Sequence, residues 1–145
     1  MKTSVLAIGL DPAFADLTVF RGLTPELVRS YIDAQIQKVT QAGYVVEPCL
    51  IEGSETAHQM IAGALQSKQF HCVVIGAGLR LPPEQFLLFE RLINLVHSLA
   101  PAAKICFNTN PADTLEAVQR WVGPNDGLPA SAVIDGGDDI GSSRN

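Results

Sequence analysis

The chain has 145 residues, a length that suits one domain rather than two. Hydrophobic residues make up 47% of it and charged residues 17%, a balance typical of a globular protein, which excludes general disorder. The formal net charge is −5 and no basic cluster stands out, so binding to a nucleic-acid backbone is excluded and no nucleic acid is expected as a partner.

The first apolar run is too short to cross a bilayer. It follows a single lysine and ends in Asp11-Pro12 without a signal-peptide cleavage pattern, so it is interpreted as a strand. No other run approaches the roughly 20 residues of a membrane span, and no membrane partner is expected. Three cysteines each lie in an apolar run and form no C-x-x-C pair: Cys49, Cys72 and Cys106. This pattern predicts reduced, buried thiols in a cytoplasmic protein and no metal site.

Four apolar runs predict strands. Three of them are almost continuously apolar, which is typical of parallel strands buried on both faces. The second run contains Glu47 and Pro48, and proline cannot donate to a strand ladder, so this strand is expected at an edge. The four runs are Ser4–Leu10, Tyr44–Ile51, His71–Gly76 and Lys104–Asn108.

A helical pattern follows each strand. The first begins at Thr24-Pro25-Glu26, which supplies an N-cap hydroxyl, a proline at the first position and an acid in the first turn. It ends at Gly43, and its expected inner face is Leu27, Val28, Tyr31, Ile32, Ile36 and Val39. Ser54 is the expected cap of the second helix, whose predicted inner face is Ala57, Met60, Ile61, Ala64 and Leu65. The third helix is predicted over about 84–99 and the fourth over about 112–121, with Asn110 as cap.

Strands that alternate with helices every 30 residues or so predict right-handed β-α-β crossovers. With the second strand at an edge, the strand order becomes 2-1-3-4. We therefore predict a single doubly wound, mainly parallel α/β sheet covered by helices on both faces, in three layers. Over roughly residues 4–122 this layout resembles the flavodoxin-like group, which includes response-regulator receiver domains.

That resemblance implies a fifth strand, for which residues 130–134 are the candidate, so four or five strands are expected. Residues 1–122 carry nine basic and eleven acidic side chains, and residues 123–145 carry one and four. Few apolar side chains occur in residues 123–145 apart from that candidate strand. We expect this acidic segment to be a flexible tail that the domain of residues 1–122 does not need for folding.

In a doubly wound sheet, ligands bind at the carboxyl edge near the point where strand order reverses. Here that point lies between the first and third strands. The polar and glycine residues delivered there are the binding-site candidates: Asp11, Glu52, Ser54, Gly76, Gly78, Arg80, Asn108 and Asn110. Arg80 either holds a small anion or pairs with an acid such as Asp11 or Glu52. The long connection from Asp11 to Leu23 either closes over a ligand or packs its apolar side chains on the sheet edge.

The chain lacks the sequence motifs of several activities that are common in sheets of this type. Gly76-Ala77-Gly78 resembles the start of a dinucleotide-binding fingerprint, but Leu81 stands where the third glycine belongs and two prolines follow. The paired acids of a receiver domain and the phosphate loop of a flavodoxin are missing after the first strand. His71 and His97 fall at the opposite edge and His58 on a helix surface, so no catalytic triad is predicted. No cofactor can be assigned.

The third helix has apolar residues over about half its circumference, more than one sheet face needs. We predict a homodimer through residues 84–99, and burial of the helix beneath a neighbouring helix or the tail is the alternative. Two functional hypotheses follow. The first is a non-catalytic or regulatory α/β module that self-associates and binds a small anionic ligand at the carboxyl edge. The alternative is a small enzyme acting on a phosphorylated or carboxylated metabolite, with Asp11 as base and Arg80 as anchor. The enzyme requires Asp11, Arg80 and Asn108 to converge in one pocket.

Overall fold

The computed structural model describes residues 2–15, 17, 22–53 and 55–125. It contains an all-parallel sheet of four strands in the order β2-β1-β3-β4. The strands are β1 (Ser4–Leu10), β2 (Val45–Ile51), β3 (Cys72–Ile75) and β4 (Lys104–Phe107). The predicted doubly wound, flavodoxin-like order is confirmed. Pro48 is exposed on the edge strand β2, as its missing N–H requires. The candidate fifth strand, residues 130–134, lies outside the described residues.

The helices are α1 (Pro25–Gln41), α2 (Glu55–Ser67), α3 (Phe86–Leu99) and α4 (Thr114–Gln119), joined in part by short 3₁₀ turns at Pro12–Phe14, Ala77–Leu79 and Pro83–Gln85. The predicted start of α1 is confirmed, because the Thr24 hydroxyl accepts a 3.1 Å hydrogen bond from the Leu27 N–H. Gly43 follows the helix with a φ of +106°, which favours glycine. The predicted cap of α2, Ser54, lies outside the described residues.

The fourth helix begins later than predicted. Asn110 does not cap it, because its side-chain oxygen accepts the Ala112 N–H within a turn before the helix. The residue before the helix is Asp113, whose carboxylate accepts the N–H groups of Thr109 and Asn110. The sequence Asn-Pro therefore marks a turn, and α4 runs over Thr114–Gln119.

Two separate cores lie on the two faces of the sheet. One face packs against α2 and α3, with Ile61 and Leu92 fully buried over Ile8 and Ile75. The other face packs against α1 and α4, in a core that consists of Val5, Val39, Tyr44, Cys72, Val74, Cys106, Ala117, Val118 and Val122. Two residues predicted on inner helix faces are exposed instead: Tyr31 on α1 and Met60 on α2. Both lie at the margin of their apolar stripe, where a large side chain can turn toward solvent.

The chain makes contacts with the sheet beyond the expected end of the domain at residue 122. The backbone N–H of Thr3 donates to the carbonyl of Pro124 over 2.9 Å, and the Thr3 hydroxyl donates to the carbonyl of Gly123. The Tyr44 hydroxyl donates to the carbonyl of Val122 over 2.6 Å. Residues 122–124 therefore belong to the packed structure at the amino edge of the sheet. Residues 126–145 lie outside the described part.

All three cysteines are buried and unbridged, as predicted. The sulfurs of Cys72 and Cys106 lie 3.4 Å apart on neighbouring strands and share a hydrogen bond. That bond and burial raise the pKa of the Cys72 thiol far above its ordinary range. The thiol is protonated at neutral pH and is not a nucleophile. Within the described ranges, no helix combines the length and apolar character needed to cross a bilayer.

Candidate binding site at the carboxyl edge

The sheet face under α1 and α4 is hollow in its carboxyl half. Successive strand residues point to opposite faces, so Val5, Ala7 and Gly9 all face α1 and α4. Val5 is buried, whereas Ala7 and Gly9 remain partly exposed although β1 has a strand on each side. The methyl group of Ala7 and the Cα of Gly9, which carries no side chain, are too small to fill the space below α1. The result is a cavity of about 930 Å³, called here the edge cavity, that opens at the carboxyl edge.

The walls of the edge cavity are mainly apolar. Val28, Ile32 and Ile36 of α1 form one wall and are each partly buried, in contrast to Val39 at the closed end of the helix. Other lining residues come from the turns around the opening: Pro12, Phe14, Ala15, Leu17 and Leu23 after β1, Leu81, Pro82, Pro83, Glu84 and Gln85 before α3, and Thr109, Asn110 and Pro111 after β4. Among the described lining residues, Glu84 carries a charge and none is basic.

Gln35 is a polar residue in the apolar wall of the edge cavity. It lies near the centre of the α1 stripe, between Ile32 and Val39, and is 7% exposed. Its side-chain oxygen Oε1 is buried and has no hydrogen-bond partner among the described residues. A buried amide oxygen without a partner is unfavourable, and such atoms are uncommon in folded proteins. Gln35 therefore presents a free acceptor at a cavity with apolar walls.

Asn108 connects three elements at the end of β4. Its oxygen Oδ1 accepts the Ala77 N–H over 2.8 Å, and its nitrogen Nδ2 donates to the Thr114 hydroxyl over 3.1 Å. The side chain lines the cavity and is almost completely buried. Because both ends of the amide already have partners, Asn108 shapes the site by fixing the Ala77–Leu79 turn against α4.

Arg80 points away from the edge cavity. Its guanidinium donates to the backbone carbonyl of Asn108 and lies over the Phe107 ring, 5.2 Å from the ring centroid. Neither Asp11 nor Glu52 pairs with it, so neither predicted partner is the observed one. Asp11 accepts the Ala13 N–H over 3.0 Å and closes the turn after β1. Thus Arg80 and Asn108 meet, but Asp11 and Arg80 do not line the cavity.

The eight predicted site residues divide into three groups. Gly76, Gly78, Asn108 and Asn110 line the edge cavity. Asp11, Glu52 and Arg80 do not, and Ser54 lies outside the described residues. Ala7, Gly9 and Gln35 line the edge cavity and are not among the eight predicted site residues. Two signals were present: small residues at alternate positions of β1, and a glutamine in the middle of an apolar helical stripe.

The carboxylate of Asp113 holds the turn that carries Thr109 and Asn110 at the cavity opening. Asp113 accepts hydrogen bonds from the Thr109 hydroxyl and from the Thr109 and Asn110 N–H groups. Burial alone would raise the pKa of Asp113, but these bonds and the charge of Arg120 lower it on balance. The hydrogen bonds of Asp113 fix the turn between β4 and α4, and this turn places Asn110 and Pro111 at the cavity opening.

The histidines lie away from the edge cavity, as predicted. The His71 ring nitrogen Nδ1 accepts the Ser4 N–H over 3.0 Å at the amino edge of the sheet. His58 is exposed in an open groove of about 810 Å³ between α2 and α3, beside Glu90 and Arg91. Across the part of the chain that the structure describes, no three histidine, cysteine or acidic side chains are grouped so that they could hold a metal ion.

No protein-family model matches the chain, and no curated protein matches it. The likeness to the flavodoxin-like group therefore rests on strand order and on the placement of the helices. These features establish the fold, and the function has to be argued from the residues of the site.

Proposed function

We propose that this chain is a non-catalytic binding module that holds a small, mainly apolar molecule in the edge cavity. The observation that carries the proposal is the partial exposure of Ala7 and Gly9 in a central strand. A central strand of a doubly wound sheet is normally covered by helices. Here α1 leaves the edge cavity between itself and the carboxyl half of β1. This cavity lies where ligands bind in this type of sheet.

The chemistry of the walls favours an apolar ligand over the anion expected from the sequence. The cavity volume is within the range of small-molecule sites, and such sites are mostly apolar with a few polar groups. An anion would meet Glu84 and no basic side chain among the described lining residues. Binding of an anion by Arg80 stays a prediction. The Nη2 group of Arg80 is engaged by the Asn108 carbonyl, and its buried Nε has no hydrogen-bond partner among the described residues.

The alternative hypothesis of an enzyme has less support. It requires Asp11 as a base and Arg80 as an anchor at one reaction site, and neither side chain lines the edge cavity. Asp11 instead accepts a backbone hydrogen bond within its own turn. A binding module needs no converging catalytic groups, and the described residues of the cavity offer shape, apolar surface and a buried acceptor without a partner, Gln35 Oε1.

A variant that fills the cavity tests the proposal. We expect wild-type protein to bind the neutral fluorescent probe N-phenyl-1-naphthylamine saturably. Ala7→Leu adds three carbon atoms to the floor of the cavity and should weaken that binding at least tenfold, or about 1.4 kcal/mol. Ala34→Leu adds the same atoms to the exposed side of α1 and serves as the matched control.

Fluorescence titration gives the dissociation constants, and thermal melts show that both variants are folded. Equal affinity of wild type and Ala7→Leu would place the probe elsewhere and contradict the proposal. Lack of saturable binding by the wild-type protein would contradict it as well.

A further inference from the structure

The cavity wall contains a buried polar atom, Gln35 Oε1, that has no partner among the described residues. Gln35 lies one helical turn from Val39, which is fully buried in the core between α1 and the sheet. Its oxygen Oε1 is shielded from solvent and unpartnered, while its neighbours on the same wall, Ile32 and Ile36, are apolar. A leucine or methionine there would pack without an unsatisfied atom. The glutamine therefore needs a reason outside the packing of the free protein.

We infer that Gln35 is the recognition residue of the edge cavity and that its ligand is an uncharged, mainly apolar molecule with one hydrogen-bond donor, an O–H or N–H, directed at Oε1. This inference rests on the proposed function. A ligand donor would satisfy the amide oxygen at the moment of binding. The surrounding apolar walls give that bond its selectivity, because a ligand without the donor leaves the oxygen unpaired.

Charge argues for the same class of ligand. The Gln35 oxygen and the Glu84 carboxylate both disfavour a carboxylate or phosphate, and the described lining residues include no cation to offset it. The cavity volume of about 930 Å³ accommodates a ligand of two fused rings or more. An aromatic or alicyclic alcohol, or an aromatic amine, of that size is uncharged and fits both the walls and the acceptor.

Three naphthalenes that differ in one substituent test the inference. 2-Naphthol has a donor, 2-methoxynaphthalene has the same rings without a donor, and 2-naphthoate carries a negative charge. Displacement of N-phenyl-1-naphthylamine measures the affinity of each. For wild-type protein we expect 2-naphthol to bind at least tenfold more tightly than 2-methoxynaphthalene, and 2-naphthoate to bind most weakly.

Gln35→Leu should abolish the preference for 2-naphthol and leave the affinity for 2-methoxynaphthalene equal or higher. The ligand-free variant should also melt at a higher temperature, because the unpaired oxygen is gone. Gln35→Met provides a second variant with an unbranched side chain in case leucine packs poorly. Gln37→Leu removes an exposed glutamine from the same helix and is the matched control, with the wild-type preference expected.

The outcomes separate this inference from the proposed function. If both neutral naphthalenes bind equally well to wild type and Ala7→Leu blocks both, the inference is wrong and the binding module stands. A wild-type preference that persists in Gln35→Leu and Gln35→Met also overturns it. If no naphthalene binds, the proposed function and the inference fail together.

Discussion

The sequence around Arg80 predicts a binding residue, whereas the contacts of its side chain are structural. It follows a glycine turn at the carboxyl edge, where an arginine commonly holds an anion. The direction of its side chain depends on Phe107 and on the Asn108 carbonyl, which are 27 and 28 positions away in the sequence. Gln35 is the opposite case, because no sequence motif marks it and its unpartnered oxygen makes it the best candidate for recognition.

Asp113 gives a prediction at the same scale. Its carboxylate accepts three hydrogen bonds from Thr109 and Asn110, which lower its pKa in the folded state. Asp113→Asn should lower the free energy of unfolding at neutral pH by about 1 kcal/mol, because a neutral amide accepts these bonds less strongly. Urea titrations at several pH values measure the difference.

The dependence on pH follows from the direction of the pKa shift. A carboxylate with a lowered folded-state pKa contributes stability above its ordinary pKa of about 3.9, and that contribution is lost as pH falls through the lower folded value. The gap between wild type and Asp113→Asn should therefore close under acid conditions. Asp33→Asn is the control, since Asp33 forms an exposed pair with Arg29 over 3.7 Å. A gap that does not change with pH would exclude the carboxylate as its cause.

The packing of α3 within one subunit accounts for most of its wide apolar arc. Five of its partly buried residues pack against the core between the sheet and the helices α2 and α3: Leu88, Phe89, Ile93, Leu95 and Leu99. Phe89 also meets Phe107 edge-on, with ring centroids 5.9 Å apart. The exposed remainder is Phe86 and Leu87 in the first turn, which are 59% and 63% accessible. The homodimer through residues 84–99 stays a prediction, and these two side chains are where it is best tested.

Leu87→Glu should convert a dimer to a monomer without unfolding it, because a charge in an apolar contact loses its hydration without gaining a partner. Sedimentation at micromolar concentration measures the mass. Met60→Glu places the same charge on an apolar residue of α2 that is 47% exposed, and the wild-type mass is expected for this control. A wild-type protein that sediments as a monomer would remove the basis of the dimer.

At the level of the whole molecule, the fold followed from the sequence and the cavity did not. Continuous apolar runs predicted buried parallel strands, and Pro48 placed β2 at an edge, which together fix the order 2-1-3-4. The edge cavity depends on the gap between α1 and the sheet. That gap reflects the small sizes of Ala7 and Gly9 in β1 and of Gly76, which follows β3 and is far from them in sequence. Element patterns locate the carboxyl edge but do not measure such a gap.

The uneven support of α1 has a consequence for how the protein opens. The last turns of the helix are fixed by Val39 in the core, whereas Val28 and Ile32 in the first turns face the cavity. Local opening costs least where few apolar contacts hold an element. Pro25 has no N–H, and the next N–H groups at a helix start lack an intrahelical partner and exchange readily in any case. Amide hydrogen exchange should therefore be faster over residues 29–34 than over residues 36–41, and a bound ligand should slow the first group selectively. Uniform protection along α1 would mean that the helix opens as one unit. In the expected case, a ligand held at Gln35 orders the turns of α1 that precede this residue.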